Sequence, residues 1–167
     1  TQSVAALMAT GLVTLARVAV DGMRVRAHAG AASFRRRPTL AQCLADAATQ
    51  VHALRADVDA DPGVTTARQR AARERAARER QARVAQALAH LPALEAKKKP
   101  EDRTKARVST TDPEARVMKM ADGGYRPAYN LQLATDADAQ VIVGVDALAT
   151  GSDRGQLAPM VAQVEAR

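Results

Sequence analysis

The stretch Val18 to Gly30, VAVDGMRVRAHAG, decides the reading of this chain. Apolar Val13, Leu15, Val18 and Val20 lead up to Asp21 and Gly22, after which Val25 and Ala27 alternate with Arg24, Arg26 and His28. β-Branched residues and period-two alternation predict one strand, from Leu12 to Ala29, whose apolar run is broken by a single carboxylate. A lone Asp inside a buried strand is costly unless its charge is compensated. The compensating partner can be an Arg, backbone donors or a metal cation, and the rest of the chain is read for which it is.

Outward from that strand, Gln2 to Thr10 has helical composition and Gly11 stands where a terminating glycine belongs. Downstream, Gly30 to Pro38 is a basic turn. A helix follows from Thr39, its N-cap, to Leu54, with Leu40, Leu44, Ala47, Val51 and Leu54 forming a heptad seam. Pro62-Gly63 marks a turn within Asp57 to Thr66. A second helix runs from Thr66 to Ala96. It carries AARER at Ala71–Arg75 and again at Ala76–Arg80, with Glu74–Arg78 and Glu79–Arg83 spaced for ion pairs and an apolar seam at Val84, Leu88 and Leu91. The two helices predict an antiparallel hairpin, sealed near one end and polar at the other.

Lys97 to Arg107 lacks periodicity and reads as a linker. Thr111-Asp112-Pro113-Glu114 has the form of a helix start. Tyr129, Leu131, Leu133 and Thr135 alternate with Asn130, Gln132 and Ala134 as a strand; Asp136 to Asp138 can turn, and Val141 to Val145 makes a short strand. After a loop at Ala147–Ser152, Asp153 to Arg167 repeats apolar residues at helical spacing, with Pro159 early in it. Four segments result: 1–38 with the first strand, 39–96 the hairpin, 97–128 a basic linker, and 129–167 two more strands and a helix. A hairpin between sequence-distant strands of one sheet points to an α/β or α+β domain.

Composition narrows the partners. The 167 residues carry a net charge of +7, and 47% are hydrophobic but only 2% aromatic. Much of the apolar fraction is Ala, so the core is thin for the length. The positive surplus favours polyanions such as nucleic acid. Its basic clusters are Arg35–Arg37, the Arg-rich helix with Arg73 and Arg80, and Lys97–Lys99. These are candidate DNA-backbone contacts, although a solvated helix face is the better account of the middle one. Cys43 is the lone cysteine, which excludes a disulfide framework and a Cys-based zinc site and suits a reducing compartment. No apolar run approaches the ~20 residues that span a bilayer, and no signal peptide is legible. Thr1 in place of Met, and a last helix running into Arg167, read as a chain cut at both ends.

The ordered segments DGMRVRAHA, TDPEARVMK, GYRPAYNLQLATD and QVIVGVDALATGSDRGQLAPM together resemble bacterial insertion-sequence transposases of the DDE type. The resemblance covers nearly the whole chain. It implies an RNase H-like catalytic domain, here a partial mixed sheet interrupted by the helical hairpin. In that family two strand aspartates and a helix glutamate hold two divalent metals, usually Mg²⁺, for attack on a phosphodiester. Metals about 4 Å apart neutralise both the attacking and the leaving oxygen. Residue by residue, Asp21 matches the first aspartate, as catalytic and metal-binding residue, and Gly22 completes the family's DG pair. The segments carrying the second aspartate and the glutamate are absent, so the resemblance implies a fragment that is inactive alone. It further implies DNA as partner, a bacterial cytoplasmic, nucleoid-associated location, no membrane, and self-association through an unpaired strand edge.

Other readings stay open. Asp21 paired with Arg24 or Arg26, or holding a backbone turn, explains the same residues without a metal. Asp136 and Asp146 end strands and need only form turns. His28, His52 and His90 show no metal-ligand spacing, and Cys43 sits on an apolar seam as a packed small residue. The chain also reads as a non-enzymatic nucleic-acid-binding or coiled-coil module built on the hairpin, or as a gene remnant without function.

Overall fold

The computed structural model describes residues 2–60 and 66–166, the side chains of 57–60 excepted, so the turn expected at Pro62-Gly63 lies outside the described residues. In chain order the elements are α1 (Gln2–Ala9), β1 (Val18–Arg26), β2 (Phe34–Arg35), α2 (Arg37–Ala60), α3 (Ala67–Ala96), β3 (Val108–Ser109), β4 (Arg116–Lys119), β5 (Tyr125–Asp136), β6 (Ile142–Leu148) and α4 (Leu157–Glu165). This is an α+β chain. It divides into a sheet unit, Thr1–Ala27 with Arg116–Arg167, and a hairpin unit, His28–Ala115.

In the sheet unit the long strand β5 is central. β1 pairs along one side of it, while β4 and β6 share the other side end to end. Every pairing is antiparallel, whereas a mixed sheet was expected. The cause is local: β4, β5 and β6 are joined by short turns at Met120–Gly124 and Ala137–Val141, which only antiparallel neighbours can accept. Gly123 takes φ +81° in the first of these turns. β1 begins at Val18, later than the apolar pattern suggests, because Gly11 (φ +73°) and Leu15 (φ +57°) bend the preceding chain into a loop.

One face of this sheet is covered. Val4 of α1, Val13, Ala134, Val143, and Met160 and Val164 of α4 form its core, with Leu7, Val18 and Val20 packed against it. A bulge at Ala134/Thr135 leaves Val143 as an extra residue in β6 and turns it into that core. The outer edge of β6 is capped by a side chain. Gln163 Oε1 accepts from Val145 N at 2.9 Å while its Nε2 donates to Val145 O at 3.1 Å, taking the place of a further strand at that residue.

The hairpin unit is wider than the two helices. α2 starts at Arg37, with Pro38 inside the first turn, and continues to Ala60, beyond the expected Leu54. α3 is capped by Thr66, whose hydroxyl accepts from Gln69 N while Gln69 answers to Thr66 N, a reciprocal capping box. Leu40, Ala47 and Val51 of α2 and Ala77, Val84, Ala87 and Leu91 of α3 are buried, close to the expected seams. Lys97–Arg107 is more than a linker: Pro100–Lys105 is a 3₁₀ turn that carries Ala106 and Val108 into the core of Leu40, Ala87 and Leu91. β2 and β3 then pair, an element too short for periodicity to show. Away from that sealed end the alanines fill little space. Ala41, Ala45, Ala48, Ala82 and Ala85 line an open trough of about 730 Å³ floored by Leu44 and Leu88.

Candidate functional site

The two faces of β5 decide where chemistry can sit, and the alternation leaves open which one is buried. Tyr129, Leu131, Leu133 and Thr135 are the more apolar set. Yet Ala128, Asn130, Gln132, Ala134 and Asp136 are buried, and Tyr129, Leu131 and Leu133 are only half-buried. Register carries this to the neighbours. Val20, Gly22 and Arg24 of β1 share the covered face with Ala134, Gln132 and Asn130. Asp21, opposite Leu133, shares the open face with Met23 and Val25.

Asp21 is therefore exposed, not embedded in a core, and no Arg pairs with it among the described residues. Its Oδ1 accepts from Gly22 N at 2.8 Å. It remains beside the later strands, since Leu133 stands opposite it and Val145 of β6 lies opposite Leu133. Around it are apolar side chains: Met23 and Val145 are about half exposed, at 50% and 49%. Among the described residues, Asp21 is the only acid that the paired strands place on this face. Among the described residues no group of three His, Cys, Asp or Glu gathers to hold a metal. The donors present among the described residues do not make a two-metal site.

On the covered face an unforeseen cluster forms. The amides of Asn130 and Gln132, 1% and 2% exposed, both donate to Asp153 Oδ1 at 2.7 Å. Asp153 lies in the loop between β6 and α4, and Arg24 holds that loop by donating to Gly151 O at 2.5 Å. The bonds from Asn130 and Gln132, helped by the charge of Arg24, hold the Asp153 carboxyl below the usual carboxylate range. Gly22 is what makes room. A methyl there would overlap Asp153 Oδ1 and stand 2.5 Å from Gln132 Nε2. The glycine of the DG pair is thus explained by packing. The sequence signal was available in the polar pair Asn130/Gln132 at i, i+2, but such a pair ordinarily marks a solvent face.

Asp136 does more than end a strand. Its buried carboxylate accepts from Ala139 N and Asp138 N through Oδ1 and from Leu15 N through Oδ2, tying the loop before β1 to the β5–β6 turn. The Ala139 amide leads the set of backbone donors that lower its pKa against the opposing effect of burial. Asp146 accepts from Ala147 N at 2.9 Å and lies opposite Gln132 on the covered face. Asp112 starts no helix. It holds a turn through Ala115 N, with Ser109 Oγ accepting from Thr111 N and Asp112 N, and the chain enters β4. Pro113 is tolerated by a turn as readily as by a first helical turn, which is why the two were indistinguishable in sequence.

The basic residues do not form one patch. Arg37 is engaged: its guanidinium grips Glu95 with Nη2–Oε2 at 2.6 Å and Nε–Oε1 at 3.2 Å, which raises its pKa. That pair joins the start of α2 to the end of α3, so Arg35, Arg36 and Lys97–Lys99 are exposed at the same end of the hairpin. Arg73 and Arg80 are exposed on α3, about 36 and 26 Å farther along at ~1.5 Å per residue. Arg80 reaches Gln50 at 3.4 Å. The Glu74–Arg78 pair forms at 2.5 Å and Arg55 joins it, keeping the Glu74 carboxyl below its ordinary range. The expected Glu79–Arg83 pair does not form, and Arg83 Nε is buried without a partner. Cys43 is half-buried on α2, as a packed residue would be. No helix is long and apolar enough to cross a membrane among the described residues. No family model, curated protein or solved structure matches the chain.

Proposed function

We propose that the sheet unit is the front part of an RNase H-like catalytic domain of a DDE transposase, and that the chain engages DNA through the cations of its hairpin unit. The observation that carries this reading is the antiparallel run β1–β5–β6 followed by α4, with Asp21 accessible in the middle of β1. It is supported by the contrast between the two outer edges. Gln163 occupies the backbone of β6 at Val145, whereas the outer edge of β1 is unpaired among the described residues. That open edge leaves room for a strand bearing the family's second aspartate beside Asp21. With one of three carboxylates, this chain alone neither holds the Mg²⁺ pair nor cleaves DNA.

The test is fluorescence anisotropy of a labelled duplex titrated with the chain across a salt series. The observed affinity falls with salt, and the slope of log K against log salt loses about one unit for each phosphate-contacting cation removed. Arg73→Ala and Arg80→Ala are each expected to reduce the slope by about that amount, and Lys97→Ala with Lys98→Ala by about two. Absence of binding at low salt, or an unchanged slope in all variants, rules out the hairpin as the DNA surface. A second reading, a non-enzymatic module built on the hairpin, is favoured by one observation: that unit has its own core around Leu40 and Leu91. It makes the same salt-slope predictions and gives Asp21 no role.

A further inference from the structure

We infer that the open face of the sheet unit is the seat of a second copy of this chain, packed face to face about a two-fold axis. That face is made by the odd-numbered positions of β1, β4 and β5, with Ile142, Val145 and Ala147 of β6. Met23, Val25, Val117, Tyr125 and Val145 stand exposed on it around the half-buried Tyr129, Leu131 and Leu133. Both helices of the unit serve the other face, where Val4 of α1 and Met160 and Val164 of α4 lie in the core. At ~3.4 Å per residue along a strand and ~4.8 Å between strands, the paired residues tile an open face of about 500 Å². An apolar expanse of that size is at the upper end of what a monomer leaves open, and it marks an interaction surface.

The charges on the face select the occupant. Among the described residues the paired strands place one acid on it, Asp21, and one base, Lys119, and neither belongs to an ion pair. The face is therefore without net charge, and a nucleic acid or a strongly charged helix gains nothing from it. Asp21 stands opposite Leu133 and Lys119 opposite Tyr125, on the two sides of β5. They are separated by eight residues along that strand, ~27 Å. A two-fold axis lying in the face beside Tyr129, midway between them, brings Asp21 of each copy to Lys119 of the other. An isologous pair makes both contacts at once, and a second copy is the partner whose pattern matches by construction. The apolar centre then stacks on itself as in a two-sheet sandwich, ~10 Å thick. Covering the face desolvates Asp21, and the second copy's lysine is the cation that this burial requires. Two copies together bury on the order of 1,000 Å², the low end of specific interfaces, so the pair is weak and its charges fix register more than affinity. All these residues belong to the sheet unit, and the inference does not rest on the transposase reading.

The experiment is sedimentation equilibrium of the intact chain across a series from about 1 µM to about 1 mM, where a monomer–dimer equilibrium in the micromolar range is expected. Met23→Lys and Val117→Lys, both at exposed positions, should each weaken it at least about tenfold while the circular dichroism stays unchanged, because each buries an unpaired charge. Asp21→Lys and Lys119→Asp should each do the same, since each sets like charges together at both contacts. The decisive step mixes those two variants. Every contact between them is again of opposite sign, so the mixture should form a heterodimer within about threefold of the unaltered affinity although neither variant pairs with itself. Association through the unpaired edge of β1, or through the hairpin unit, does not involve Lys119, and a face reserved for some other occupant leaves the chain monomeric. A monomer throughout the series, association indifferent to Val117→Lys or Lys119→Asp, or a mixture no tighter than its components overturns the inference.

Discussion

Replacing Gly22 by Ala tests the packing logic of the covered sheet face. The new methyl overlaps Asp153 Oδ1 and stands 2.8 Å from Asp153 Cγ and 2.5 Å from Gln132 Nε2, so Asp153 must leave its seat. Asn130 and Gln132, both nearly inaccessible, then lose the acceptor they share. Stranding a buried amide costs about 1–3 kcal/mol. Because Asp153 lies in an exposed loop that can open and admit water, the low end applies to each amide, about 2 kcal/mol together. Ala in place of Gly in a strand returns roughly 0.5–1 kcal/mol of backbone entropy. The net expectation is a loss of about 1–1.5 kcal/mol, read from urea unfolding monitored by circular dichroism, with the side-chain amide signals of Asn130 and Gln132 shifting in NMR spectra. The decisive measurement is a double-mutant cycle. Once Asp153→Ala has removed the carboxylate, only the flexible end of Gln132 opposes the methyl, so Gly22→Ala should become neutral or mildly stabilising. A coupling energy below about 0.5 kcal/mol, meaning simple additivity, would show that the glycine is not there to seat Asp153.

Two further outcomes follow from the carboxylates and the hairpin core. Asp136 and Asp153 both have carboxyls lowered in the folded state, so the stability they contribute is present above the unfolded carboxylate range near pH 4 and is lost as the pH falls through their lower folded values. Thermal unfolding followed from pH 6 to pH 2 should show a steep decline below about pH 4, made shallower in Asp136→Asn; an unchanged slope in that variant refutes the assignment. In the hairpin, Leu91 is 0% exposed against Leu40, Ala87 and Val108, so Leu91→Ala should cost about 2–5 kcal/mol and be read as a lowered urea midpoint. A loss under ~1 kcal/mol would mean that the alanine-rich interface collapses around the cavity.

The helices were legible because their signals are repetitive and local. Thr66 marks the start of α3, and Leu40, Ala47, Val51, Val84 and Leu91 announce a seam, with no knowledge of the partner needed. Strand existence was legible too, at β1, β5 and β6, but not which face of β5 is buried. Alternation gives two sets of residues without saying which set meets the helices. Here the polar set won, because Gly22, Gly144 and Ala134 keep that face low enough for Met160 and Gln163 of α4 to close on it, and because Asp153 satisfies the amides. The short pairs β2–β3 and β4–β5 escaped notice because a strand of two to four residues has no period to detect. Arg83 escaped for a different reason: an i, i+4 ion pair is a weak preference that a half-buried side chain gives up readily.

The exposure of Asp21 changes the physical question that the sequence posed. In a core, its charge would have demanded compensation; on an open face beside Leu131, Leu133 and Val145 it demands none, and water alone explains its tolerance. What needs explanation is the reverse, namely the apolar company it keeps. Met23, Val25, Ile142 and Val145 are 41–50% exposed on the paired strands, where a one-sided antiparallel sheet would carry polar residues. A sheet apolar on both faces is built to be covered on both. Once this face is covered, Asp21 acquires a desolvation cost, and only then does a cation or a donor beside it become a requirement. The catalytic reading of Asp21 therefore depends on what closes over the open face.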